Sequence, residues 1–189
     1  GVDVLFIPFR DRVEAICDVY EKIRAEGGKT PQVAFYILPG PGRVSEEEAL
    51  SFYEDIYLEN EYQDLWFYWK GKPLMLTYDD PTGFSSTLQN FFTFRKCWAW
   101  GTSSDDNSWS WYEYAPQTHS WSGEPEVPEC VSVSVAGHPT QNRGRSYTST
   151  GGQPAFDQYH LTPYTGQGLH FAEQWERALE LDPEFIFIT

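Results

Sequence analysis

The chain lacks several features that would otherwise point to a function. It has three cysteines, Cys17, Cys97 and Cys130, an odd set with no Cys-x-x-Cys spacing. That argues against a disulfide framework or a cysteine zinc site and leaves buried free thiols as the default. Basic residues are scarce, 13 Lys and Arg against 28 Asp and Glu, for a formal charge of −15. Nucleic acid and anionic lipid both need a basic footprint, so neither is an expected partner. No apolar run is long enough to span a membrane. No Gly-x-Gly-x-x-Gly follows the first strand pattern and there is no Walker motif, so no nucleotide cofactor is implied. His119, His160 and His170 share no metal-ligand spacing. The run Ser103-Ser-Asp-Asp-Asn107 offers hard oxygens but lacks the EF-hand frame and its terminal Glu, so no metal is expected.

Aromatic residues, in contrast, are plentiful: 8 Trp, 12 Tyr and 13 Phe in 189 residues, 17% of the chain. Many sit among Ser, Asp and Gly, which is unusual for pure core. Flat amphipathic rings suit a ligand with an apolar face and a polar edge, as a sugar has.

Apolar runs alternate with helical patterns. Strands are expected at residues 2–8, 32–38, 73–78, 90–98, 130–136 and 184–189. Helices are expected at residues 13–26, closed by Gly27-Gly28, at 45–59, opened by a Ser45-x-x-Glu48 capping box, and at 167–181, with a short helical link near 82–89. Lys70-Gly71 reads as a tight turn between a short strand, 64–69, and the third core strand. The stretches 99–129 and 137–165 read as long irregular loops. Every core strand is apolar on both faces, as in parallel sheets covered on each side. Long loops follow strands and short connections precede them, which in a barrel elaborates the catalytic face. The expected fold is α/β: a single partial TIM (β/α)₈ barrel with six recognisable core strands. A full barrel needs roughly 250 residues, so about one strand is expected before Gly1 and one after Thr189. A doubly wound sheet would give the same pattern with fewer strands.

Five segments carry a family likeness: Gly1-Val-Asp-Val-Leu-Phe; Lys29-Thr-Pro-Gln-Val-Ala-Phe; Leu65-Trp-Phe-Tyr-Trp-Lys-Gly-Lys-Pro-Leu-Met-Leu; Val131-Ser-Val-Ser-Val-Ala-Gly-His-Pro139; and Phe171-Ala-Glu-Gln-Trp-Glu-Arg-Ala-Leu with Asp182-Pro-Glu-Phe-Ile-Phe-Ile-Thr189. In this order they resemble bacterial (β/α)₈-barrel proteins related to glycoside hydrolase families 71 and 99, the latter including endo-α-mannosidases. The resemblance implies a secreted or periplasmic glycosidase acting on a glycan or polysaccharide. It also implies a Trp-Asn-Glu-Trp type motif after the last strand, where this chain stops. The group commonly has a polar residue such as Asp at the end of the first strand; here that place reads Pro8-Phe9-Arg10-Asp11.

Glycoside hydrolysis uses two carboxyl groups across the scissile bond, one protonated and one ionised. Asp79 and Asp80 directly follow the third core strand and are candidate catalytic acids, against the plainer role of turn acids beside Pro81. Glu113, within Trp109-Ser-Trp-Tyr-Glu-Tyr114, is a candidate acid that neighbouring rings would desolvate. Candidate carbohydrate-binding residues are Arg10, Trp98, Trp100, Trp111, His138 and Arg145, all on loops that follow strands or at strand ends. Glu124, Glu126 and Glu129 read as solvated loop charge, and Glu173, Glu176 and Glu180 as the wet face of the last helix. Two further readings stay open: a non-catalytic carbohydrate-binding barrel, and an α/β enzyme acting on something other than carbohydrate.

Overall fold

The computed structural model describes residues 1–59, 61–98, 105–113, 116–135 and 169–189. They form two compact units, Gly1–Lys96 and Cys97–Thr189. The first contains β1 (Val4–Ile7), α1 (Val13–Ala25), β2 (Gln32–Ile37), α2 (Ser45–Phe52), β3 (Tyr68–Trp69), β4 (Lys72–Thr77) and α3 (Ser86–Phe91). It also holds most of β5 (Thr93–Trp98), whose last two residues lead into the second unit.

Strands β1, β2, β4 and β5 pair in that order, all parallel. Ile7 lies opposite Phe35, Phe35 opposite Met75 and Met75 opposite Phe94. This row belongs to one apolar core with Val13 and Cys17 of α1, Ala49 and Phe52 of α2, and Leu88 of α3. Alternate strand residues point to opposite faces. The other face carries Ala34, Tyr36, Leu74, Leu76 and Arg95, which are buried as well. Continuous apolar strands therefore arise because neither face meets water. The fold is mixed α/β with a parallel sheet.

Local chemistry explains the element ends. At the end of α1, Gly27 has φ +86°, and the Gly28 and Gly27 amides donate to the Ile23 and Arg24 carbonyls at 2.8 and 2.9 Å. These are the paired bonds of a Schellman cap, which needs a left-handed residue at that position. Lys70 and Gly71 both have positive φ, 53° and 80°. They turn the chain from β3 into antiparallel pairing with β4, as a two-residue hairpin turn requires.

The structure departs from three of these expectations. Ser45 does not cap its helix through a capping box. Val44 is the N-cap and the Ser45 hydroxyl donates instead to Asp79, while the Glu48 carboxylate pairs with Arg43 at 3.1 Å. Nor does one regular helix run from 45 to 59. After Phe52 the chain widens into a π turn, Tyr53–Tyr57, with the Leu58 amide donating to the Tyr53 carbonyl. Phe52 and Tyr57 are five residues apart, about 140° around a regular helix. The wider turn brings both into the core, where Tyr57 meets the rings of Phe35, Trp66 and Phe92 at 5.1–5.8 Å. The strand expected from residue 90 starts at Thr93, because α3 continues to Phe91.

The second unit holds β6 (Ser108–Ser110), β7 (Cys130–Val133), α4 (Leu169–Leu181) and β8 (Phe185–Ile188). β6 falls in a stretch that reads as irregular. β7 and β8 are parallel, from Cys130 opposite Phe185 to Val133 opposite Ile188. α4 covers one face, packing Phe171, Trp175 and Ala178 on Val131, Val133 and Ile186. On the other face Trp109 of β6 stands over Phe185 and Phe187, with ring centroids 5.1 and 6.2 Å away. Gln117, fully buried, donates to the Ser132 and Gln174 carbonyls at 3.2 and 3.0 Å. No helix among the described residues is long and apolar enough to cross a membrane.

Two measurements test this packing. The Tyr57 hydroxyl is buried with no hydrogen-bond partner among the described residues. Removing an unsatisfied buried hydroxyl removes a desolvation cost of about 1–3 kcal/mol. Tyr57→Phe is therefore expected to leave urea stability unchanged or raise it by about 1 kcal/mol, whereas Tyr57→Ala should cost about 3–5 kcal/mol. All three thiols are buried, and burial, with Glu21 and Asp18 nearby, pushes Cys17 from 9.0 up to about 12. Native protein should resist Ellman's reagent at pH 8 and release three equivalents when unfolded. Cys17 keeps its proton in the folded state after the unfolded chain has lost it. Its contribution to stability is full below pH 9.0 and disappears as pH rises to about 12.

Candidate functional site

Parallel strands direct their carboxyl ends to one edge, and the loops that follow them collect there. In the first unit this edge carries Asp79 and Asp80, just beyond Thr77. Asp79 is exposed. Its Oδ2 accepts a hydrogen bond from Ser45 Oγ at 2.7 Å, and its backbone carbonyl accepts one from the buried Thr77 hydroxyl at 2.8 Å. Asp79 is thus held at both ends by groups from two elements. Asp80 is also exposed but has a local task. It caps the single turn Pro81–Gly83, accepting the Thr82 amide at 3.0 Å. The Thr82 backbone and side-chain donors, then the charge of Lys96, hold its carboxyl below the usual Asp value. The neighbouring Glu46 Oε1 accepts the Ser85 amide at 2.7 Å.

Arg10 lies on the short turn Arg10–Arg12 that follows β1. Its guanidinium pairs with Asp55 and donates to Ser51, so α2 and the π turn hold it. It lines a cleft of about 200 Å³ shared with Glu14, Asp55, Glu61 and Tyr62. Tyr62 donates to Asp18 at 2.7 Å, which pushes its phenol further up.

In the second unit the corresponding edge brings Trp98 and Trp111 together, and Glu113 follows two residues after Trp111. The Trp98 and Trp111 rings meet at 5.5 Å and 55°. The Trp111 amide donates to the Trp98 carbonyl at 3.4 Å, and the Trp111 carbonyl accepts from Thr189 Oγ1 at 3.2 Å. The Trp111 side chain reaches the thiol of Cys97, which burial pushes far up. Glu113 is half-buried, with its Oε1 shielded from water. The β7–β8 ladder runs one step past its strands: the Thr189 amide donates to Val133 and the Val135 amide to Thr189, each at 3.1 Å. Ser134 therefore lies opposite Thr189. Its Oγ is 3.2 Å from His170 Nε2. A polar layer of Ser134, Thr189 and His170 thus caps an apolar layer of Phe185, Phe187 and Trp109.

Trp109 is fully buried and serves as packing for this layer. Its indole N–H donates to Glu129 Oε1 at 2.8 Å. Glu129 is only 4% exposed, so its reading as solvated loop charge is overturned. The burial has a sequence signal, since Glu129 immediately precedes the apolar strand β7. Ser134 and His170 carry no motif that would single them out. Trp100, His138 and Arg145 lie outside the described residues. Among the described residues the structure groups Asp79 with Asp80 and Ser45 in one unit, and Trp98 with Trp111 in the other. No cluster of three or more His, Cys, Asp or Glu among the described residues is placed to hold a metal ion.

Two substitutions probe these assignments. Asp80→Ala removes a cap from a single exposed turn and should lower stability by about 0.5–1 kcal/mol at pH 7. Because the folded carboxyl is held low, the deficit against wild type should be full above the ordinary Asp value of 3.8 and vanish as pH falls through the lowered one. Trp109→Phe leaves a buried carboxyl without its indole donor and should cost about 2–4 kcal/mol in thermal or urea unfolding.

Compared with protein-family models, with curated proteins and with solved structures, the chain matches none.

Proposed function

We propose that the chain is a (β/α)₈-barrel carbohydrate-active protein, a glycoside hydrolase of the kind related to families 71 and 99, acting on a glycan or polysaccharide outside the cytoplasm. The observation that carries this reading is the carboxyl edge of the second unit. There the Trp98 and Trp111 rings pair, and Glu113, with one oxygen withdrawn from water, follows Trp111 by two residues. Rings offer a stacking face for a sugar, and a shielded carboxyl is suited to carry the proton for the leaving oxygen. In the first unit Asp79, exposed and oriented by Ser45, is a separate candidate carboxylate at a strand end.

Three contacts support a second reading, a barrel that binds carbohydrate without cleaving it. Arg10 is engaged by Asp55, Asp80 by the Thr82 amide and Asp79 by Ser45, so each candidate in the first unit also has a structural role.

The two readings separate in one experiment. The protein is incubated with a panel of neutral and acidic polysaccharides and oligosaccharides, and new reducing ends are measured alongside binding by affinity electrophoresis. Hydrolysis is expected, falling by about 10²–10⁴-fold in Asp79→Asn and in Glu113→Gln with an unchanged melting temperature. Near-normal turnover in both variants would remove these assignments. Retardation with no new reducing ends would favour the binding module, and neither response would end the carbohydrate reading.

A further inference from the structure

We infer that His170, positioned by Ser134, contacts the hydroxyl edge of a bound sugar; this rests on the carbohydrate reading above. α4 packs on the Val131–Val133–Ile186 face of the β7–β8 pair. Its second residue is His170, half-buried, which brings Nε2 within 3.2 Å of Ser134 Oγ at the carboxyl edge of the strands. Ser134 lies opposite Thr189 at the end of the ladder. By strand alternation both side chains belong to the face away from α4, where Thr189 Oγ1 donates to the Trp111 carbonyl. The imidazole therefore reaches the same edge that carries the Trp98–Trp111 pair.

A second observation points to a polar occupant of this face. Ser132, one alternation below Ser134, is 3% exposed, and its hydroxyl has no hydrogen-bond partner among the described residues. A buried hydroxyl left so is costly unless something polar meets it. Ser132 and Ser134 thus put two hydroxyls on one face, with an imidazole at its rim and rings beside it. Sugars are recognised by this combination: stacking on the apolar face, and hydroxyl or imidazole partners along the polar edge. The Ser134 hydroxyl fixes the ring plane, making it a positioning residue; His170 makes the contact.

The test uses histidine side-chain and tryptophan indole NMR signals of the whole chain, titrated with free hexoses and with hexose disaccharides. The expected result is a saturable shift of the His170 ring signals together with the Trp98 or Trp111 indole signal. His170→Ala should weaken the apparent affinity for the best disaccharide by about tenfold and His170→Gln by less, at an unchanged melting temperature. Ser134→Ala should weaken it too, while leaving the His170 signal present but less responsive to sugar. Indole shifts without a His170 shift, or His170→Ala binding as tightly as wild type, would overturn this inference and leave the carbohydrate reading standing. No shift in either set of signals would remove both.

Discussion

Burial of both faces of the parallel ladder is the constraint on which the other features depend. In β2 and β4 almost every side chain is withdrawn from water, whichever way it points. Such strands can carry little polar chemistry along their length, because an unmatched polar group there costs about 1–3 kcal/mol. Arg95 shows how an exception is managed. It is buried, with its guanidinium 4.6 Å from the Trp69 ring and one nitrogen donating to the Phe94 carbonyl. Lys70 takes the same indole at 4.3 Å, so one ring serves two cations. Elsewhere the candidate residues lie at the strand ends. Asp79 lies two residues beyond β4, Trp111 one beyond β6, and Ser134 and Thr189 one beyond β7 and β8.

That constraint also explains why the strands were legible. A strand buried on both sides has to be a continuous apolar run, and the six runs read from the sequence all contain observed strands. Turns were legible where the backbone needs special residues, as at Gly27 and at Lys70-Gly71. Less was legible where a local signal lost to a distant one. Ser45 and Glu48 form a good capping box on paper, yet Asp79, 34 residues away, takes the Ser45 hydroxyl. The π turn after Phe52 exists because Tyr57 has a place among Phe35, Trp66 and Phe92, and no neighbour in sequence announces that. β6 is three residues long, too short for any periodicity to mark.

The candidate site was legible by position more than by role. Asp79, Asp80, Trp98, Trp111 and Glu113 all lie at or just beyond strands, as the carboxyl-edge rule requires. Their partners were not readable. Within the aromatic run that starts at Trp109, the two described tryptophans divide. Trp109 points into the packing and holds the buried Glu129, while Trp111 stands at the edge against Trp98. Strand alternation alone would put 109 and 111 on one face; they part because β6 ends at Ser110 and the chain leaves the strand at 111. His170 shares no metal-ligand spacing with the other histidines, so nothing in the sequence marks it, although a helix following a parallel strand naturally starts near that strand's carboxyl edge.

The two adjacent acids of the first unit are not equivalent under the proposed chemistry. Asp80 stabilises the turn Pro81–Gly83 as an anion, and the Thr82 donors favour its charged form. Giving it a proton would weaken those bonds, so it is poorly suited to alternate between acid and base. Its carboxylate is also directed back at its own turn. Asp79 has no turn to hold. Ser45 restrains one oxygen from a separate helix, an arrangement that sets orientation without fixing the carboxylate into the local backbone. A carboxyl proposed to take part in glycosidic hydrolysis has to be oriented yet chemically available. Between the neighbours, Asp79 fits that description better, and Asp80 keeps the loop that presents it in place.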